Sequence, residues 1–106
     1  MDKFLVVFRG AAIAEAKEPE DEAQVWDGWF HALGSALLDR GALSYGSVEV
    51  HSRLVGPKLS SSALSGYAII AAADFDDAVR IVKTCPIFDE KGSVEIAHLR
   101  QAASVR

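Results

Sequence analysis

A carboxylate, an imidazole and a guanidinium alternate in Glu49-Val50-His51-Ser52-Arg53, and a second carboxylate, Glu95, stands between Val94 and Ile96. In extended chain, residues two apart share a face. Glu49, His51 and Arg53 therefore project together, and Glu95 projects opposite its aliphatic neighbours. Imidazole titrates near neutral pH and moves protons. A carboxylate withdrawn from water rises toward the same range and becomes a general acid or base, while a guanidinium holds a carboxylate or carbonyl through its planar fork. On that chemistry Glu95 and His51 are the candidate catalytic residues, and Arg53 is a candidate substrate anchor. Tyr67 and Trp29 offer aromatic walls for a ring. Each assignment has a plainer alternative. Glu95 makes a structural ion pair with Arg53 or Arg9, Glu49-His51-Arg53 is a solvated edge strand, and the aromatics belong to the core.

Other reactive side chains fit structural roles. His31 lies one helical turn after Asp27, a spacing that permits a hydrogen bond, but on the polar side of its helix. His98 falls at the end of the last predicted strand. Cys85 precedes Pro86 at a helix end, where the dipole disfavours a thiolate; it reads as packing. Three histidines and one cysteine show no zinc spacing, and neither a phosphate loop nor a dinucleotide fingerprint occurs. The expectation is chemistry without metal or cofactor.

Positioning these groups requires a scaffold, and the hydropathy pattern supplies one. Residues 4–8 are continuously apolar and predict a strand buried on both faces. Trp26, Trp29, Phe30, Leu33 and Leu37 recur at helical spacing, predicting a helix over 20–38. Pro19 suits its first turn, the acidic residues after it face the positive dipole end, and Gly41 follows as a stop. Residues 47–54 alternate and predict a half-exposed strand, residues 66–72 a second strand apolar on both faces, and residues 93–99 a last alternating strand. Asp74 reads as the N-cap of a second helix that Pro86 prevents from continuing. Loops are expected over 10–19 and 56–65.

This order, β-α-β-β-α-β, is the α+β ferredoxin-like arrangement, a single domain over 1–106 built on a four-stranded antiparallel sheet. Its first and third strands are central, matching the two segments apolar on both faces. Two helices cover one face only, so the other face predicts a second copy packed against it: a homodimeric α+β barrel.

Composition limits the partners. Half of the 106 residues are hydrophobic and a quarter charged, as in ordinary globular domains. Net charge is -4, the wrong sign for a chain held to phosphate, so no nucleic-acid partner is expected. No segment approaches a membrane span and the N-terminal apolar run is too short for a signal peptide. A cytoplasmic homodimer, with no membrane partner and a small-molecule ligand, is the expectation.

Gly66-Tyr67-Ala68-Ile69-Ile70, Asp74, Ala78, Cys85-Pro86 and Gly92-Ser93-Val94-Glu95-Ile96 together resemble the YCII-related, or DGPF-domain, family. Trp26, Trp29 and Leu38-Asp39-Arg40-Gly41 are similar to that family's first helix and its exit. The resemblance runs over nearly the whole chain and is strongest in its last forty or so residues. It implies the same dimeric barrel and, from a few relatives, elimination or dehalogenation of small cyclic compounds with a His/Asp pair moving protons. Val55-Gly56-Pro57-Lys58 replaces the Asp-Gly-Pro-Phe signature, and Ala97 stands where many relatives carry arginine. Two functions follow: an acid–base enzyme acting on a small organic substrate, or a non-catalytic dimeric module that binds a small ligand or a protein.

Overall fold

The computed structural model describes residues 1–10, 19–44, 47–59 and 64–100; the loop expected over 10–19 and the serine run at 60–62 lie largely outside them. Strand β1 (Asp2–Arg9) forms where Phe4-Leu5-Val6-Val7-Phe8 offers β-branched and aromatic residues in succession. Helix α1 (Pro19–Leu33) is followed by a 3-10 turn (Gly34–Ala36) and strand β2 (Leu37–Leu43). A short ribbon, β3 (Val48–Glu49) with β4 (Lys58–Leu59), precedes β5 (Leu64–Ala72), helix α2 (Phe75–Val82), a 3-10 turn (Pro86–Glu90) and β6 (Ser93–His98). The sheet is four-stranded and antiparallel in the order β2-β5-β1-β6, compatible with a ferredoxin-like fold.

Alternation divides the sheet into two faces. Phe4, Val6 and Phe8 of β1 and Ala68, Ile70 and Ala72 of β5 point to the helices and are fully buried. Trp26, Trp29 and Phe30 of α1 cover them, with edge-to-face contacts from Phe8 to Trp26 at 5.0 Å and to Trp29 at 6.1 Å. Both indole N–H groups are satisfied at the core margin. Trp26 donates to the Glu90 carboxylate at 3.1 Å and Trp29 to the Thr84 hydroxyl at 2.8 Å, tying α1 to the segment after α2. Asp74 caps α2 by accepting from the Asp77 N–H at 2.8 Å, and the Asp77 carboxylate accepts in return from the Ala73 N–H at 2.9 Å.

The second strand departs from the sequence expectation. The helix ends five residues early because Gly34 takes a left-handed φ of +56°, and the chain then runs extended through Leu37-Leu38. Leu37 still packs on the core, but from β2 rather than from a helix. Residues 47–54, expected as an edge strand of the sheet, contribute only Val48 and Glu49 to a separate two-stranded ribbon. Gly41 is likewise no helix stop. It sits inside β2 at φ +64°, where a Cβ would meet the Tyr67 carbonyl oxygen at 2.0 Å. That approach lets a bulged β2 stay paired to β5, with Asp39 opposite Ile69 and Ala42 opposite Tyr67.

Gly41→Ala must both strain the backbone and push β2 from β5. The expected loss is about 2 kcal/mol or more in a denaturant titration; a loss below a few tenths would mean that this contact is not tight in solution.

Candidate functional site

The face of the sheet turned from the helices carries the groups that could do chemistry. Val7 pairs with Tyr67 on one side and with Glu95 on the other, so Glu95, Val7 and Tyr67 form one row across three strands. Leu5 pairs with Ile69 and Ala97, giving a second row that is apolar across β5, β1 and β6 and ends at Asp39 on β2, and Lys3 pairs with Ala71 in a third. Leu5, Val7, Ile69 and Ala71 are half-buried in one chain. The Glu95 carboxylate accepts from the Arg9 guanidinium at 3.3 Å. Arg9 lies two residues beyond Val7 and shares its face. Two interstrand steps, about 9.5 Å, separate the Glu95 and Tyr67 backbones. A flat molecule resting on Val7 would meet a charged pair at one end and a phenol at the other.

Glu95 therefore lies where its alternation placed it: Val94 and Ile96 pack on the core and Glu95 faces away. Its side chain is 69% exposed in one chain, and its ion-pair partner is Arg9, the plainer alternative to catalysis. Arg9 is the member that residue-type reasoning undervalued. Its signal was available, since it continues the Leu5, Val7 face of the first strand.

The remaining candidates lie elsewhere. His51 hydrogen-bonds Glu49 at 2.7 Å just beyond β3, and Arg53 lies exposed at the ribbon tip. Within one chain neither is bonded to Glu95. Trp29 is only 7% exposed, on the helix side of the sheet, with its N–H engaged by Thr84; its place is in the core, not against a substrate. Asp27 pairs with Arg40, whose guanidinium also lies 4.8 Å from the Phe30 ring centroid, and not with His31. His98 does end the last strand. Its ring stacks on Phe4 at 4.6 Å and its Nε2 bonds the Asp2 carboxylate at 3.0 Å.

Among the described residues, no group of three His, Cys, Asp or Glu side chains is placed to hold a metal ion, and no helix is long and apolar enough to cross a membrane. No protein-family model and no curated protein matches the chain.

Cys85 is buried, and burial pushes its thiol up to about 12, with Asp89 and Glu90 adding to the rise and a hydrogen bond from the Ile87 backbone opposing it. The thiol thus stays protonated where an unfolded cysteine ionises. Native protein treated with iodoacetamide at about pH 8 should remain unmodified while unfolded chain reacts fully. Rapid native alkylation would place Cys85 outside the core.

Proposed function

We propose that the open face is the floor of a small-molecule site in a homodimeric, ferredoxin-like α+β barrel of YCII-related type. Arg9 anchors a carboxylate or polarised carbonyl, Tyr67 offers a phenolic hydrogen bond and a ring edge, and Glu95 moves the proton. The substrate class is a small cyclic acid or ketone, and the chemistry is general acid–base. The observation that carries this reading is the row Glu95–Val7–Tyr67 with Arg9 bonded to its charged end. An apolar floor flanked by a few convergent polar groups is the usual make-up of such sites. Closing a second sheet over it would exclude water from the carboxylate, and a substrate anion that engages Arg9 would free Glu95 to exchange a proton with the substrate.

The second reading is a binding module without turnover. What favours it is the exposure of Glu95 and its engagement by Arg9 in one chain, an arrangement suited to holding a ligand through paired charges alone.

The reading is tested by following amide and Tyr67 ring resonances during titration with a panel of small cyclic carboxylic acids and cyclic ketones. Binding should map to Tyr67, Val7 and Glu95. Arg9→Gln should weaken the acids by on the order of tenfold or more and spare the ketones. Glu95→Gln should keep the melting temperature and oligomeric mass and abolish proton exchange at the ligand's α-carbon. Ligand binding with no exchange in the wild type leaves the binding-module reading, exchange retained in Glu95→Gln removes Glu95 from the proton step, and a wild-type face that binds no member of the panel contradicts both readings.

A further inference from the structure

We propose that Gly92 is a positioning residue for Arg9: its missing side chain lets the start of β6 seat the Arg9 backbone where the guanidinium engages Glu95 and a ligand acid. The proposal rests on the small-molecule reading above and names the residue that fixes the acid-recognising end of that site.

Strand β1 has two neighbours, and one of them governs Arg9. Toward β6 the register runs unbroken, with Val7 opposite Glu95, Phe8 opposite Val94 and Arg9 opposite Ser93. Toward β5 it slips between Phe8 and Arg9, since Phe8 faces Gly66 while Arg9 faces Leu64. A bulge of this kind bends a strand and re-aims the side chain beside it. Arg9 thus follows β6, the strand that carries its ion-pair partner, and its placement depends on how β6 begins.

It begins at a compact turn. Lys91 takes a left-handed φ of +63° after the 3-10 turn. The N–H groups of Lys91 and Gly92 donate back to the Phe88 and Ile87 carbonyls at 3.3 and 2.9 Å. A Cβ on Gly92 would run into the fully buried Ile87 side chain and would stand 2.8 Å from the Arg9 carbonyl oxygen. The first neighbour is a side chain that can turn aside at a cost in packing. The second is backbone, so Arg9 itself must move. The bond at stake is sensitive to that movement. Glu95 accepts from the Arg9 Nε at 3.3 Å, already at the long end of N–H···O distances. Nε is also the guanidinium nitrogen nearest the backbone, with the fewest rotatable bonds to absorb a shift. Recognition by such a group holds only while its placement stays within about 0.5 Å.

The Arg9 Nε–Hε resonance reads this bond directly and needs no ligand. In Gly92→Ala it should move toward its position in Glu95→Gln. Ala78→Gly, a destabilising change in α2 on the covered side of the sheet, should leave it at the wild-type position. Should Gly92→Ala fail to fold, I87A/G92A is compared with I87A, because the added methyl then enters the space Ile87 vacates while the contact with the Arg9 carbonyl remains. An unmoved resonance in the folded variant overturns the proposal, whatever the fall in melting temperature. Against cyclohexanecarboxylate, Gly92→Ala should bind on the order of tenfold more weakly than wild type, and cyclohexanone should bind as before. In an Arg9→Gln background the same substitution should change acid affinity by less than about twofold, because the group it acts through is gone. Equal losses for acid and ketone, or the full loss repeated in the Arg9→Gln background, make Gly92 a glycine of the fold alone and overturn the proposal. A wild type that binds neither compound, beside a resonance that moves in Gly92→Ala, contradicts the ligand site and leaves the positioning of Arg9 standing.

Discussion

Two helices against a four-stranded sheet cover one of its faces, and everything distinctive about this chain follows from what the other face carries. On the covered side Phe4, Val6, Phe8, Ala68 and Ile70 disappear beneath α1 and α2. On the other side the same two central strands present Leu5, Val7, Ile69 and Ala71. Strands meant for water on one side alternate apolar with polar; these do not. Apolar surface contributes about 25 cal/mol per Å² when removed from water, so the open face favours whatever covers it. The charged pair Arg9–Glu95 and the phenol of Tyr67 lie on that surface, and a cover converts an exposed ion pair into an enclosed polar site.

The covered side also explains why the open side is well positioned. Trp26 and Trp29 fill the space over Phe8 and anchor their N–H groups to Glu90 and Thr84, which fixes the helix against the segment leading into β6. That strand carries Glu95. The bulged approach at Gly41 holds β2 against Tyr67. Both ends of the Glu95–Val7–Tyr67 row are therefore set by backbone packing and not by mobile loops, the condition under which a small set of polar groups keeps a fixed geometry.

Much of this was legible in the residues. Continuous apolar runs marked β1 and β5 as central, the aromatic stripe marked α1, Asp74 marked the start of α2, and the Val94, Ile96 alternation turned Glu95 from the core. The second strand was not legible, for a definite reason. Leu37 satisfies both a helical stripe ending at Leu33 and a strand beginning after Gly34, and helical spacing by itself does not separate them; the left-handed glycine does. The alternation of Val48, Val50, Ser52 and Leu54 mimicked a sheet strand because a short ribbon is extended chain as well, and alternation does not tell which strand it pairs with. That error carried His51 and Arg53 away from Glu95 within one chain. Arg9, by contrast, was one register step from recognition.

The central claim is that a second copy covers the open face, and the mass of the particle in solution tests it most directly. Light scattering coupled to size exclusion at micromolar concentration should give about twice the chain mass of 11.4 kDa. A particle of one chain mass, with the circular dichroism and cooperative melting of a folded protein, would contradict it.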